Sequence, residues 1–270
     1  MMSPASAASS PDLDADRALL TDAVTDAGET AMRFFGREPA VWYKRPGDPV
    51  SEADIAVNDG LKARLLGARP DYGWLSEESL DEGKRLACER VWIVDPIDGT
   101  RAFLLDKPEF TISAALVEGD RPIIAAILNP ATEELFTASK GGGAWLGGAP
   151  ISVSARHKLD GAELLTTSNQ IDRAREPETF AGATITSLGS IAYRLALVAA
   201  GRYDGVISLS GKSDWDLAAA DLLMTEAKGH ITTITSECYR YNRAEPRHRS
   251  VIAANATLHA LFLDQFGDNT

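Results

Sequence analysis

The segment Val91-Trp92-Ile93-Val94, running directly into Asp95-Pro96-Ile97-Asp98-Gly99-Thr100, constrains the fold more than any other stretch of this chain. Four consecutive apolar residues between polar neighbours leave no solvent-facing side, so they predict a strand buried on both faces. Such a strand needs a layer above and a layer below it, which points to an α/β architecture. The carboxylates that follow then lie at its C-terminal end, where open α/β sheets form their ligand crevice. Pro96 fixes φ and Gly99 permits close backbone approach, so Asp95 and Asp98 can converge on one point. The plainer reading is a turn, because Asp-Pro and Asp-Gly are ordinary turn dipeptides.

Elsewhere the chain switches between helical and strand periodicity. Leu20, Val24, Ala27, Ala31 and Phe34 recur every three or four residues, one face of a helix ending near Gly36. A turn-rich stretch at 44–49 leads into a second helix over 51–66, with Ile55, Leu61 and Leu65 among its apolar positions. Apolar runs at 110–117 and 122–128, joined by Glu118-Gly119-Asp120-Arg121, predict a hairpin. Strands at 134–138 and 151–154, separated by the glycine-rich 141–148, extend it into an antiparallel meander. The second half predicts strands at 164–168, 206–209, 231–234 and 251–254, and helices at 191–200, 217–227 and 257–266. We expect a layered α/β (α+β) fold in two halves, 13–155 and 156–270, sharing a cleft. An Ala-, Ser- and Pro-rich lead-in at 1–12 is expected to be disordered.

Charge narrows the chemistry. The net charge of −12 argues against a nucleic-acid polymer or an anionic membrane as partner. No apolar run approaches the ~18 residues of a membrane span. The lead-in lacks a signal peptide's basic start and apolar stretch, and Cys88 and Cys238 are too few for a disulfide framework. Both observations fit a reducing cytoplasm. With His157, His230, His248 and His259 scattered, any metal must be a hard cation held by oxygen: Mg²⁺, Mn²⁺ or Ca²⁺.

Three further segments supply oxygen ligands or proton acceptors. Glu77, in Leu75-Ser76-Glu77-Glu78-Ser79, follows an apolar lead and would complete a cage with Asp95 and Asp98; a solvated charge run is the alternative. Asp216 stands where an N-cap should, before an Ala- and Leu-rich helix, and a rigidly held cap can still coordinate outward. Ser51-x-x-Asp54 has capping-box spacing, and Asp54 can also orient a water through a hydroxyl such as Thr100. Two rival loops fail on spacing. An EF-hand needs an oxygen side chain where Ile97 stands, and haloacid-dehalogenase-type phosphatases set their aspartates two apart rather than three.

In this order, Asp48-Pro-Val-Ser-Glu-Ala-Asp54, Ser76-Glu-Glu-Ser79, Trp92-Ile-Val-Asp-Pro-Ile-Asp-Gly-Thr100, Gly189-Ser190 and Trp215-Asp216-Leu-Ala-Ala219 resemble the inositol monophosphatase family of Mg²⁺-dependent, typically Li⁺-sensitive phosphatases. Ser51 replaces the family's usual threonine and keeps the hydroxyl. The resemblance implies a layered αβαβα sandwich, hydrolysis of small phosphorylated metabolites, and a homodimer. It implies two to three Mg²⁺ ions, with Mn²⁺ as a substitute. One ion falls to Glu77, Asp95 and the Ile97 carbonyl, a second to Asp95, Asp98 and Asp216, and a weaker third lies near Glu77. Two cations about 3.5–4 Å apart can hold both the attacking and the leaving oxygen. The water is oriented by Glu77 with Thr100, or by Asp54 acting through Thr100. The backbone N–H groups of Gly99 and Thr100 cradle the phosphate.

For the substrate, Thr100-Arg-Ala-Phe103 and Ser210-Gly-Lys-Ser-Asp-Trp215 look like the CysQ-type 3′(2′),5′-bisphosphate nucleotidases. In that reading Lys212 or Arg101 meets the distal phosphate of adenosine 3′,5′-bisphosphate, and Gly189 and Ser190 meet the sugar. Inositol-1-phosphate and histidinol phosphate are the alternatives. A non-catalytic binder of Mg²⁺ or nucleotide would need no water-orienting pair.

Overall fold

The structure is a computed structural model describing residues 10–267; most of the lead-in expected at 1–12 lies outside the described residues. Residues 10–12 depart from that expectation, since they open helix α1 (Ser10–Met32). A proline in the first turn of a helix costs no intrahelical hydrogen bond, so the Ser-Pro-Asp start is compatible with it. Among the described residues no helix is long and apolar enough to cross a membrane.

Strands β1 (Val41–Arg45) and β2 (Asp48–Ser51) pair as a small hairpin, turning at Gly47 with φ of +78°. The sequence reads this stretch as a turn only. Helix α2 (Glu52–Ala68) buries Ala53, Val57, Leu61 and Leu65, so its apolar stripe runs through Val57 and leaves Ile55 half-buried. Then come β3 (Gly73–Ser76), β4 (Arg90–Asp98) and the single-turn α3 (Thr100–Phe103). β5 (Thr111–Glu118), β6 (Arg121–Asn129), β7 (Glu134–Ser139), β8 (Gly143–Leu146) and β9 (Ala149–Pro150) complete a seven-stranded sheet in sequential order. β3 and β4 are parallel and the remaining pairs antiparallel.

The meander ends at β9, and the strand expected at 151–154 does not form. There the Val153 N–H donates to the Ala227 carbonyl, off the sheet. An Ile-Ser-Val-Ser alternation becomes a strand only where a ladder partner exists, and this segment crosses to the second sheet instead. The glycine-rich separator at 141–148 contains β8.

The second half contributes β10 (Glu163–Leu165), α4 (Ser168–Ile171), β11 (Thr184–Thr186), α5 (Ile191–Ala199), β12 (Gly205–Ser208) and β13 (Lys212–Ser213). It closes with α6 (Asp214–Glu226), β14 (His230–Thr232), β15 (Arg247–His248), β16 (Val251–Ala254) and α7 (Ala256–Phe266). Five of these strands form a sheet ordered β11-β10-β12-β16-β14, while β13 pairs with β15 alone.

Side-chain alternation assembles the layers. Trp92, Val94, Ile112, Ala114 and Leu116 pack under α1 and α2, whereas Val91, Ile93, Ala115 and Val117 face α5 and α6. Val206, Val251 and Ala253 of the small sheet press on the far side of α5 and α6. Ile207, Ile252 and Ala254 turn the other way, against Leu258, Phe262 and Phe266 of α7. The result is an αβαβα sandwich, with β4 buried on both faces.

Candidate active site

Asp95 and Asp98 are three residues apart, and in a regular strand such a pair would point to opposite faces. The ladder between β4 and β5 resolves this. Asp95 lies opposite Ser113 and Asp98 opposite Thr111, so Pro96 and Ile97 face Ile112 alone. That is a β-bulge, one extra residue that re-aims everything after it. Ile97 turns into the core under α1 and α2, while Asp98 returns to the side of α5.

Asp98 Oδ2 accepts hydrogen bonds from Ser190 Oγ (2.7 Å) and from the Ala192 N–H (2.6 Å) at the start of α5. Ser190 also caps that helix, accepting from the Tyr193 N–H at 2.9 Å. Asp216 is the third residue of α6 rather than its cap. Ser213 caps the helix, and Asp216 Oδ2 accepts from the Ser213 N–H at 2.6 Å in a capping box. The reciprocal bond holds the carboxylate rigidly and leaves its other oxygen for the cleft.

Ligand oxygens of Asp95, Asp98 and Asp216 lie within 4.8 Å of one another. Asp95 Oδ1 is buried with no hydrogen-bond partner among the described residues, and so is Ser113 Oγ directly across the ladder. Burial, then repulsion from Glu77, Asp98 and Asp216, pushes the Asp95 carboxyl well above its usual range. Burial also raises Asp98, against the pull of its Ser190 and Ala192 hydrogen bonds. Burial and then repulsion from Asp98 raise Asp216 to about 7. Three crowded carboxylates, one with an orphaned oxygen, form a donor set that fits a hard divalent cation.

Glu77 lines the same cleft, extending β3 through its N–H to the Val94 carbonyl. It stands outside the three-carboxylate group, and Lys44 Nζ from β1 bridges Glu77 Oε1 (3.0 Å) and Glu78 Oε1 (2.5 Å). Burial, only partly offset by Lys44, raises Glu78 to about 7.

Buried at the start of α2, Ser51 and Asp54 form the other capping box. Asp54 Oδ2 accepts from the Ser51 N–H (2.8 Å) and Oγ (2.5 Å). Its Oδ1 lies 2.9 Å from Thr100 Oγ1, whose single proton is also within reach of the Ile97 carbonyl at 3.1 Å. Burial raises Asp54 despite these donors. Gly99 has φ of +100°, and a Cβ there would sit 2.9 Å from the Glu109 carbonyl oxygen. Only glycine therefore links β4 to α3 without strain.

Gly99, Thr100, Gly189, Ser190 and Lys212 all border the cleft, which encloses about 500 Å³. Arg101 is at its rim, donating to the Gly47 carbonyl. Lys212 Nζ is turned onto Ser210 Oγ at 2.8 Å, and burial lowers it. The sequence reading passes over Arg194, which enters the cleft one turn after Ser190 and donates to the Ser190 carbonyl at 3.3 Å. Burial draws its pKa down, against attraction from Asp98 and Asp216. A single charge inside the otherwise apolar Ile191–Ala199 helix is the signal that marks it.

Comparison with known proteins agrees with this arrangement. The family model of the inositol monophosphatase family matches residues 12–270. An inositol-1-monophosphatase of Rhizobium meliloti is 38% identical over 224 residues, covering 79% of this chain and 84% of its own length. The Nus factor SuhB of Pseudomonas aeruginosa is 36% identical, covering 79% and 83% respectively. The crystal structure of the extragenic suppressor protein SuhB from Bartonella henselae superposes with a TM-score of 0.82 at 30% identity, covering 94% of this chain and 98% of that one.

Proposed function

The chain belongs to the inositol monophosphatase family, and we propose that its substrate is the phosphate monoester of a small polyol, with inositol-1-phosphate in the lead. The membership itself makes the protein a metal-dependent phosphoric monoester hydrolase.

The lining of the cleft beyond the carboxylates carries the substrate reading. Among the described residues it presents Arg194, Ser210, Lys212 and the backbone of Gly189 and Gly211, and no aromatic side chain. Such groups match the hydroxyls of a polyol, whereas a purine ring gains most from a stacking face. The name of the Rhizobium meliloti relative supports the same choice.

In this reading Asp95, Asp98 and Asp216, joined by Glu77 and the Ile97 carbonyl, hold two to three Mg²⁺ ions, with Mn²⁺ as a substitute. When bound, such ions lower the pKa of water and neutralise charge on the leaving oxygen. The remaining work falls to the chain. Thr100 donates its proton to Asp54 Oδ1 and thereby turns an oxygen lone pair toward the attacking water. As that water attacks phosphorus and the ester P–O bond breaks, its proton passes to Thr100 Oγ1 while the Thr100 proton passes to Asp54, and the departing alkoxide takes a proton from solvent water. The raised Asp54 carboxyl favours accepting it. Glu77 is the alternative acceptor once Lys44 releases it. The N–H groups of Gly99 and Thr100 open α3 without intrahelical acceptors and face the phosphate. The same reading makes the enzyme a cytoplasmic homodimer whose free Cys88 and Cys238 stay reduced.

One observation favours the bisphosphate nucleotidase as a second reading. Arg194 and Lys212 repel each other inside the cleft, and a second phosphate would satisfy both. Initial rates on inositol-1-phosphate, adenosine 3′,5′-bisphosphate and histidinol phosphate with Mg²⁺ separate the readings. We expect the highest kcat/KM for inositol-1-phosphate. A higher value for adenosine 3′,5′-bisphosphate would overturn the polyol assignment in favour of the nucleotidase.

A further inference from the structure

The loop between β14 and β16 places Arg240, Arg243, Arg247 and Arg249 around a pocket of about 390 Å³ that shares no lining residue with the cleft. The one carboxylate lining it is Glu237. Four guanidinium groups on one pocket are out of keeping with a chain of net charge −12. All four arginines are exposed. Among the described residues no carboxylate lies within ion-pair distance of Arg243, Arg247 or Arg249; Arg240 has only Asp120, at 3.7 Å. A neighbouring cavity of about 610 Å³ shares Thr233, Glu237 and Arg249 with it.

The loop that carries these arginines has almost no regular structure, yet it is held from several sides. Asp214, fully buried at the start of α6, accepts from the Asn242 N–H at 2.7 Å and pairs with His248 Nε2 at 2.8 Å. Its own N–H donates to the Pro246 carbonyl. Arg85, also buried, donates to Asn242 Oδ1 (2.7 Å) and to the Arg243 carbonyl (2.9 Å). Tyr239 donates its hydroxyl to the Ser250 carbonyl at 2.8 Å. The backbone is thus fixed before any ligand arrives; Arg243 donates to the Arg247 carbonyl at 2.9 Å and Arg240 leans toward Asp120, while among the described residues the Arg247 and Arg249 guanidinium groups make no ion pair. Preorganisation of this kind lowers the entropic cost of binding.

We propose that this pocket is a second, non-catalytic site, taking a small molecule that bears two or three phosphate groups. Guanidinium forks match phosphate oxygens two at a time, and several together suit adjacent phosphates better than a lone carboxylate. The volume falls within the range of about 300–1,000 Å³ usual for small-molecule sites. A nucleic-acid strand fits less well, because Tyr239 and Tyr241 of this loop are buried and offer no stacking face. The acidic remainder of the surface would also repel a long polyanion.

The test uses the full chain in EDTA, which leaves the catalytic carboxylates without metal, and titrates inorganic tripolyphosphate by calorimetry. Arg247→Gln/Arg249→Gln is the informative variant, since among the described residues neither side chain makes an ion pair that the exchange would remove. We expect saturable binding to the wild type, unchanged binding to Arg194→Ala in the cleft, and at least a tenfold loss in the double variant. A wild type that shows no binding, or a double variant that binds equally well, would overturn the proposal. So would a single-stranded 12-nucleotide RNA that binds the wild type more tightly than tripolyphosphate does and is lost in the double variant.

Discussion

Replacing Asp95 by asparagine should stabilise the metal-free protein while abolishing its response to Mg²⁺. Carboxylate oxygens within 4.8 Å repel by about 3.5 kcal/mol per ionised pair at an effective dielectric near 20. Asp95 has two such neighbours, and protonation caps the total, because burial and repulsion already hold its carboxyl well above the usual range. An amide at this position removes the charge and can donate to the crowded oxygens of Asp98 and Asp216. We expect a gain of about 2–3 kcal/mol in EDTA, or roughly 4–10 °C in Tm for a chain of this size. Saturating Mg²⁺ at about 100 times its Kd should add about 2.7 kcal/mol to the wild type and almost nothing to the variant. Thermal melts of both proteins, with EDTA and with Mg²⁺, measure all four states. An Asp95→Asn protein that melts at or below the wild type in EDTA would refute the charge-crowding argument. An equal Mg²⁺ shift in both would refute the ligand assignment.

Three other outcomes follow from the same geometry. In EDTA the protein should be more stable at pH 5 than at pH 8. Asp216 is raised to about 7 from an ordinary 3.8, so the native state keeps a proton that the unfolded chain releases in between, and stability falls as pH rises through that window. Melts at the two pH values check the sign; equal or higher stability at pH 8 contradicts it. Thr100→Ala and Asp54→Asn should each lower kcat by about 10²–10⁴ without weakening Mg²⁺ binding, and Thr100→Ser should recover most of the loss; a changed Mg²⁺ titration would place them in the metal site instead. Arg194→Ala should lower kcat/KM by roughly 10–150-fold, the worth of a hydrogen bond to a charged group of about 1.5–3 kcal/mol, and steady-state kinetics reads it directly.

Much of this architecture is legible in the sequence because apolar patterning is a local signal. Val91 to Val94 has no polar side, and the structure buries it between two helical layers. The spacing Ser51-x-x-Asp54 foretells a capping box, and the structure contains it. Asp216 is misread as a cap because the true cap, Ser213, lies three residues earlier in a second box of the same kind. The bulge at Pro96 and Ile97 leaves no local trace, since only the register against β5 reveals the extra residue. Long-range partners are equally silent. Nothing in Lys44 announces that it reaches Glu77 and Glu78, thirty-three and thirty-four residues away. The alternation at 151–154 misleads for the converse reason, being a correct local pattern without a neighbouring strand to pair with.

The central claim is that Asp95, Asp98 and Asp216 together hold the metal on which phosphate release depends. The most direct test follows phosphate release from inositol-1-phosphate against Mg²⁺ concentration for the wild type and Asp98→Asn, with circular dichroism showing that both are folded. Loss of a partner merely supporting a ligand typically costs about 10–100-fold, so loss of a ligand should cost about 10²-fold or more. The account predicts a wild-type rate that rises from baseline in EDTA to saturation with Mg²⁺, and a folded Asp98→Asn protein with almost none. A folded variant that keeps the wild-type rate and Mg²⁺ dependence would contradict it.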